Sequence, residues 1–288
     1  MAFGNRLIHT ESASPLVYGW DISNGFTANG QFNPGSQSSY ISRGSEFDSS
    51  GNFYSLNEYP SNELLRYAPA GTPYNFSNYN TTATQVLDPL GDYGNDIRFA
   101  DNGNMLLIVV YSSAATQRYM ISYDLTTPYD ITTATNSKTL DETNFNIRPL
   151  GANFIDDGNK LILRDYSNGG VDYLLRIYSL SVAYDILSTK TLISSIDLPA
   201  STVGTASSTG MGILAQNNGS QILLSVQNTS NNIALINFAT AFDLNSAKTY
   251  QVQTISGLNV GNLAMSVDES YIAFGVEPTA NFYCYLIN

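Results

Sequence analysis

The chain has very little of what disulfide scaffolds, zinc sites and histidine-based catalysis require. It contains one cysteine, Cys284, and one histidine, His9, in 288 residues. A single cysteine cannot form an intramolecular disulfide, and a soft-metal site needs a cluster of histidine and cysteine ligands. Only His9 could complete a Ser-His-Asp or Cys-His pair, and glycine-rich phosphate loops are absent in usable context. We therefore predict no disulfide, no metal, no cofactor and no catalytic residue set, and we interpret Cys284 as a buried thiol.

The chain also lacks long apolar runs. The longest, Met105–Tyr111, is far too short to cross a membrane. The first residues lack the apolar core of roughly 7–15 residues that a secretory signal peptide carries. We expect no membrane insertion, and a protein that either stays in the cell that makes it or leaves by a route that needs no signal.

Charged side chains are few, and most of them are acidic. They make up 12% of the residues, with 24 Asp and Glu against 12 Lys and Arg and a net charge of -12. A protein that neutralises phosphates needs the opposite balance, so the composition disfavours nucleic acid and anionic membranes as partners. Low charge together with many Asn, Ser, Thr, Gly and Tyr residues suggests an exposed, durable β surface.

What the chain does have is an internal repeat. An aromatic residue, an Asp or Asn, and an aliphatic or aromatic residue recur five times at intervals of roughly 55 residues, a period that indicates a propeller or a solenoid. This triplet is the repeat marker. Its copies are Trp20-Asp21-Ile22, Tyr74-Asn75-Phe76, Tyr129-Asp130-Ile131, Tyr184-Asp185-Ile186 and Phe242-Asp243-Leu244.

A second motif, half a period out of phase, predicts a hairpin in each repeat. A turn rich in Asp, Asn and Gly precedes an apolar run, and tight hairpins need such residues because they tolerate positive φ. Calcium loops use similar residues but end in a bidentate Glu, which these copies lack. We therefore interpret them as structural turns. The copies are Phe47–Asn52, Phe99–Asn104, Phe154–Asn159, Ala215–Ser220 and a degraded copy without Gly, Met265–Ser270.

Each turn is followed by two β-prone runs, the repeat marker and a polar stretch that we interpret as an outer strand. The runs are short, rich in branched residues and bounded by turn signals, which favours buried strands over helices. The runs directly after the turn include Met105–Tyr111, Lys160–Leu163 and Gln221–Val226; the third strands are Tyr119–Leu125, Leu174–Leu180, Ile233–Phe238 and Phe282–Ile287; the clearest outer strand is Thr132–Leu140.

Four antiparallel strands per repeat form the blade of a β-propeller, so five copies predict an all-β, five-bladed β-propeller in one domain. The last repeat ends at its third strand, and the N-terminal strand within residues 20–45 completes that blade, which closes the ring and removes open sheet edges. Six blades are the alternative if residues 1–45 hold more strands. The predicted units are an N-terminal arm, residues 1–19, and the propeller, residues 20–288, with repeats near 46–95, 96–150, 151–209, 210–262, and 263–288 completed by 20–45.

In this architecture the repeat marker has a structural explanation. Its carboxylate or amide stands at a strand end, where it can accept hydrogen bonds from backbone N–H groups two or three residues further on. The aromatic residue before it and the aliphatic residue after it would pack between blades. We therefore expect the marker to be scaffold.

Glycoside hydrolysis is the enzymatic alternative, because it needs two carboxylates that face one cavity. The first strand of each blade lines the axis of a propeller, which makes Glu46, Asp48 and Asp96 the nearest candidates. These residues come from only two adjacent blades, and Asp48 belongs to the hairpin turn. The corresponding places in the other blades are predicted to be Asn153, Gly212 and Ala264.

The repeat marker also resembles a known repeat. The segment Tyr123–Thr135, which reads YDLTTPYDITTAT, resembles the repeat YDLSTPYDISTA of propeller-type proteins from tailed bacteriophages and some marine bacteria. Ser179–Ile186 and Ala239–Leu244 are looser copies, and Val17–Ile22 departs further. The resemblance implies a propeller that belongs to a virion or is exposed on a surface, and it carries no catalytic motif.

We therefore expect a virion structural or accessory protein of a bacteriophage, in a tail, a fibre or a capsid decoration, made in the host cytoplasm and not an enzyme. The arm would bind other virion proteins within a homo- or hetero-oligomeric assembly, and the loops would contact a host-surface glycan or receptor. A lectin-like propeller with aromatic-lined pockets in or between the blades is one alternative, and a five-bladed glycoside hydrolase is the other.

Overall fold

The computed structural model describes residues 26–32, 42–57, 63–87, 93–112, 117–141, 149–166, 173–198, 212–216, 218–226, 232–254, 259–260, 263–265, 271–277 and 281–287, and the structural statements below concern these residues. The predicted arm, residues 1–19, and the first copy of the repeat marker lie outside them.

Antiparallel strands make up most of the described chain, as its branched and aromatic runs predict. The strands are β1 (Phe26–Phe32), β2 (Ser42–Phe47), β3 (Phe53–Asn57), β4 (Leu64–Tyr67), β5 (Gln85–Leu87), β6 (Tyr93–Ala100), β7 (Met105–Ser112), β8 (Gln117–Leu125), β9 (Ala134–Asp141), β10 (Pro149–Ile155), β11 (Lys160–Tyr166), β12 (Tyr173–Leu180), β13 (Lys190–Leu198), β14 (Ile213–Ala215), β15 (Gln221–Val226), β16 (Asn232–Phe238), β17 (Lys248–Thr254), β18 (Asn259–Val260), β19 (Ala264–Met265), β20 (Tyr271–Glu277) and β21 (Asn281–Ile287). Three single-turn 3-10 helices accompany them: η1 (Phe76–Asn78), η2 (Asp101–Gly103) and η3 (Ile131–Thr133).

Four sheets are regular four-stranded blades, and the all-β propeller fold predicted from the repeat is confirmed. Blade 1 contains β2 to β5, blade 2 β6 to β9, blade 3 β10 to β13 and blade 4 β14 to β17, each a meander in chain order. The predicted second and third strands are confirmed, since β7, β11 and β15 follow the turns and β8, β12, β16 and β21 match the third strands. The first strand of each blade is the innermost and the fourth is the outermost.

The predicted number of five blades is not confirmed, since the described residues form four blades and the remaining sheet has five strands. As predicted, strand β1 from the N-terminal region pairs with the last strand, β21. Strand β20 then pairs with two short strands, β18 and β19, where the blades have one continuous inner strand. Leu263, directly before β19, belongs to neither strand. A sixth sheet does not occur in the described part of the chain.

The hydrophobic core lies between neighbouring sheets. Leu56 of blade 1 and Ile108 of blade 2 belong to one buried cluster. Phe53 of blade 1 and Ala273 of the five-stranded sheet belong to another. Further clusters join blade 2 to blade 3 and blade 3 to blade 4. Blades 1 to 3 therefore pack against a neighbour on both faces, and their stability depends on those neighbours.

The repeat marker is scaffold, as predicted. Its aromatic residue has a left-handed backbone, and its middle residue accepts a hydrogen bond from the N–H group two residues on. The last residue is buried between blades, with at most 1% exposed. The aromatic φ values are 62° for Tyr74, 61° for Tyr129, 59° for Tyr184 and 60° for Phe242. The accepting pairs are Asn75 with Ser77 at 3.1 Å, Asp130 with Thr132 at 3.0 Å, Asp185 with Leu187 at 3.0 Å and Asp243 with Asn245 at 2.9 Å.

Polar side chains add specific links between neighbouring blades. The Tyr54 hydroxyl of blade 1 donates to the Tyr129 carbonyl oxygen in the marker of blade 2, at 2.6 Å. The Ser194 hydroxyl oxygen of blade 3 accepts a hydrogen bond from the Leu244 N–H group in the marker of blade 4, at 3.0 Å. The marker of one blade therefore also serves as the docking point for the blade before it.

Candidate functional site

Alignment of the repeats on the hairpin motif places one inner-strand residue of every sheet at an equivalent position. This residue directly precedes the first residue of the hairpin motif, which is Phe47, Phe99, Phe154, Ala215 or Met265. Its identity differs from sheet to sheet, so it is not part of the repeating scaffold. The residues are Glu46, Arg98, Asn153, Leu214 and Ala264.

Two residues earlier, three blades have glycine and blade 2 has an aspartate. Gly44, Gly151 and Gly212 occupy this position, and Asp96 stands in their place. The inner strands approach closely here, since a Cβ added to Gly44 would lie 3.0 Å from the Cα of Asp96. Asp96 therefore places a carboxyl group where the other blades leave room.

A buried guanidinium joins two carboxyl groups at this point. The Arg98 Nη1 atom lies 3.1 Å from Asp96 Oδ1 and 3.5 Å from Glu46 Oε2. The side chains of Asp96, Arg98 and Glu46 are 0%, 2% and 13% exposed. These three residues form the axial cluster, in which one base faces two acids.

The axial cluster connects the inner strands of all four regular blades. From blade 2, Arg98 Nε donates to the Ile213 carbonyl oxygen of blade 4 at 3.0 Å. Arg98 Nη1 donates to the Ser45 carbonyl oxygen of blade 1 at 3.1 Å. Asp96 Oδ2 accepts a hydrogen bond from the Ala152 N–H group of blade 3 at 3.3 Å. One pair of neighbouring side chains therefore holds four strands that are far apart in sequence.

Burial makes both acids of the cluster weak. Desolvation raises the pKa of Asp96 to about 8, a net value that already includes the opposing charge of Arg98 and the smaller contribution of the Glu46 charge in the same direction. Desolvation also raises the pKa of Glu46 to about 7 against the opposing effect of Arg98. Burial disfavours a second uncompensated negative charge, so the cluster favours a state that keeps a proton near neutral pH.

The structure brings together two of the three carboxylates considered for glycoside hydrolysis. Glu46 and Asp96 flank the same nitrogen of Arg98. A sugar bond must lie between the two acids for hydrolysis, yet the guanidinium lies between them and Asp96 is fully buried. The geometry is that of a charged clamp.

Asp48 belongs to the hairpin, as predicted. Its Oδ1 atom accepts hydrogen bonds from the N–H groups of Ser50 and Asn52, both at 2.9 Å. Its Oδ2 atom lies 3.1 Å from the Tyr54 hydroxyl oxygen, whose single hydrogen it shares with the Tyr129 carbonyl oxygen. The Asp and Asn residues of the second and third turns, compared above with calcium loops, also have left-handed φ values that hairpin chemistry explains.

Arg98 was not identified from the sequence. The only local signal is a basic residue on an inner strand, at the place that holds Asn153 and Ala264 in other sheets. Alignment on the hairpin motif makes Asn153 and Ala264 counterparts of Glu46, but it assigns Gly212 to the position of Asp96.

A second buried arginine supports blades 3 and 4. Arg164 on β11 is fully buried, and its Nη1 atom donates to the Ser225 carbonyl oxygen of blade 4 at 2.7 Å. The Ser225 hydroxyl oxygen accepts from the Gly212 N–H group at 2.9 Å. Charged side chains thus reinforce this interface as well as the axis.

Blades 3 and 4 each expose two apolar side chains on their outermost strands, where blade 1 exposes one, Val86 on β5. Leu192 and Ile193 on β13 are 51% and 44% exposed, and Tyr250 and Val252 on β17 are 36% and 49% exposed. A register irregularity between Ile177 and Tyr178 leaves one extra residue on β13, so both its apolar side chains reach solvent. These four exposed residues of β13 and β17 form the apolar rim.

The described residues contain no group of three or more His, Cys, Asp or Glu side chains placed to hold a metal ion. Within the same residues, no helix has the length and apolar character needed to traverse a lipid bilayer.

Comparison with solved structures supports the fold alone. The chain is 9% identical to a chain in the crystal structure of the mitotic checkpoint complex, covering 97% of this chain and 99% of that chain at a TM-score of 0.50. It is 9% identical to Myxococcus xanthus glutaminyl cyclase over 91% and 97% of the two chains, at a TM-score of 0.53. It is 11% identical to the PQQ domain of pyranose dehydrogenase from Coprinopsis cinerea over 92% and 96%, at a TM-score of 0.52. No family model and no curated protein matches the sequence. The chain therefore has the propeller fold, which enzymes and non-enzymes alike use.

Proposed function

We propose that the chain is a structural or accessory protein of a bacteriophage virion, in a tail, a fibre or a capsid decoration, and that its propeller is a non-catalytic scaffold. The observation that carries this proposal is the axial cluster. Arg98 occupies the space between Glu46 and Asp96, so protein side chains lie where a propeller enzyme would hold a substrate. The resemblance of Tyr123–Thr135 to phage propeller repeats and the low charge of the chain support the virion part of the proposal.

The apolar rim supports docking into a larger assembly. Its four side chains lie on the outermost strands of adjacent blades 3 and 4. The outermost strand of blade 2 instead exposes polar residues, such as Asn136 and Thr139. We propose that the rim contacts another virion protein, together with the arm of residues 1–19, and that loops elsewhere on the ring contact host glycans or a receptor.

We also propose that the five-stranded sheet is a fifth blade that closes the ring. Strand β1 contacts η1 of blade 1, just as β5 of blade 1 contacts η3 of blade 2. Strand β20 contacts β2, and Ala264 and Ala273 pack with Phe47 of blade 1. On this proposal the interrupted inner strand, β18 and β19, corresponds to the single inner strand of the other blades.

Cryo-electron microscopy of the purified particle tests the assembly. We expect a ring of five sheets, with its apolar rim against a neighbouring protein and its opposite side outward. The substitutions Leu192→Lys and Val252→Lys should lower incorporation into particles without changing the thermal stability of the isolated protein, because both side chains are exposed. Thr139→Lys is the matched control on β9. Equal incorporation of the rim variants and the control, or particles without the ring, would count against the proposal.

Glycoside hydrolysis is retained as a second candidate because two acids with raised pKa values share one base. A panel of chromogenic glycosides distinguishes the two functions. The scaffold proposal expects no turnover by the wild-type protein. Turnover that Glu46→Gln abolishes and Asp197→Asn preserves would establish the enzyme instead. A glycan array on the same preparation tests the lectin-like alternative, which expects binding without turnover.

A further inference from the structure

We infer that the axial cluster is a proton-controlled clamp, which holds the inner strands of four blades while it carries a proton and loosens when that proton is lost. The inference does not depend on the virion proposal. It concerns three side chains that depart from the repeat, and its tests use the isolated protein.

The net charge of the axial cluster depends on whether one of its two acids is protonated. Two carboxyl groups lie within 3.5 Å of a single guanidinium nitrogen, in a site with at most 13% exposure. With both acids ionised the cluster has one uncompensated negative charge, and burial of such a charge is unfavourable. With one acid protonated the cluster is neutral, the other acid pairs with Arg98, and the hydrogen bonds to Ile213 and Ala152 are kept.

The strands packed around the cluster offer little further compensation. Strands β10, β14 and β19 carry no charged residue, and β7 carries none either. Strand β3 contributes the titratable side chain of Tyr54, which already bonds Asp48. Strand β2 also carries Arg43, and β20 has Tyr271 and Glu277 at its ends. Tyr129 of blade 2 also interacts electrostatically with Glu46 and Asp48, and it carries no positive charge. Among the described side chains, Arg98 is the cation in contact with both acids.

The direction of the pH effect follows from the raised pKa values. In the unfolded chain both acids ionise near their ordinary pKa values, 4.5 for Glu46 and 3.8 for Asp96. In the folded protein the pKa values lie at about 7 and about 8. Between these limits the folded state binds more protons than the unfolded state, so stability falls as the pH rises and levels off above about pH 8.

Urea unfolding from about pH 5 to about pH 9 tests the clamp. For the wild-type protein we expect the unfolding equilibrium constant to rise with pH by up to about tenfold per pH unit for each extra proton bound. The double variant Glu46→Gln, Asp96→Asn should lose most of this rise. Asp197→Asn, at an exposed carboxylate of β13, should keep it. A wild-type protein whose stability is flat or rises over this range would overturn the inference, as would a double variant with the full wild-type slope.

A measurement on the wild-type protein covers the case in which the double variant does not fold. Carboxyl carbon NMR follows the titration of Glu46 and Asp96 directly. We expect at least one of them to titrate above about pH 6, well above the usual range of carboxylates. Titration of both groups below about pH 5 would overturn the clamp.

Discussion

The Tyr129 ring covers Gly103 so closely that no side chain fits between them. A Cβ added to Gly103 would lie 2.4 Å from the ring, and Gly103 has a φ of 86°. In return, the Tyr129 N–H group donates to the Gly103 carbonyl oxygen at 2.9 Å. Blades 3 and 4 repeat this relationship with Gly158 under Tyr184 and Gly219 under Phe242. The hairpin motif and the repeat marker are thus two halves of one contact.

Gly103→Ala should destabilise the protein by about 2–4 kcal/mol, because the left-handed backbone disfavours a side chain and the ring must move. Gly71→Ala is the matched control, since it is exposed and its added Cβ meets only ordinary contacts from 3.5 Å. It should change the free energy of unfolding by less than about 1 kcal/mol. Urea denaturation followed by circular dichroism measures both, and equal effects would refute this account of the contact.

Arg98→Met should destabilise the protein by about 3–5 kcal/mol, because two buried acids lose their counter-charge and the carbonyl oxygens of Ser45, Ile97 and Ile213 lose a donor. Lys138→Met is the control, since Lys138 pairs with Asp185 at 3.3 Å on the surface. It should cost less than about 1 kcal/mol. A loss at Arg98 no larger than the loss at Lys138 would show that the axial cluster does not hold the blades.

Tyr54→Phe should cost about 1–2 kcal/mol, because it removes the hydroxyl that links blade 1 to the marker of blade 2 and leaves a buried carbonyl oxygen without this donor. The ring itself is fully buried, so its packing is retained. Tyr250→Phe, at the exposed rim, should be neutral. Thermal unfolding of the two variants side by side checks the difference, and identical midpoints would contradict it.

Asp130→Ala should cost about 1 kcal/mol, as the loss of a helix-capping acceptor does. Asp130→Asn should retain most of the stability, because Asn75 makes the same bond in the marker of blade 1. Chemical denaturation distinguishes the variants. Equal losses from Ala and Asn would show that the negative charge of Asp130, rather than its acceptor geometry, is what stabilises the turn.

The fold could be predicted because its determinants are local and repeated. The hairpin glycines and the marker residues act within one blade, so each repeat carries the same readable signal. The interruption between β18 and β19 could not be predicted, because no repeated sequence signal marks it.

The two acids of the axial cluster could be predicted from the sequence, but its arginine could not. Glu46 and Asp96 could be proposed because acids on inner strands must approach the axis. Arg98 could not be assigned a partner, because its contact with Ile213 joins residues that are 115 positions apart. That long-range contact decides whether the space between the two acids is free or is occupied by the Arg98 guanidinium.

The pairing of β1 with β21 also has a mechanical consequence. Phe26 lies opposite Ile287 and Phe32 lies opposite Phe282. The first residue of β1 and the last residue of β21 are therefore at the same end of this strand pair, which is called the seam. A force that pulls these two ends apart acts across the strands and breaks the backbone bonds of the seam one after another. A force applied through β1 alone, with the ring held at its rim, is instead shared along the strand. A propeller tethered through a single end would therefore tolerate tension that would peel it open if both ends were pulled.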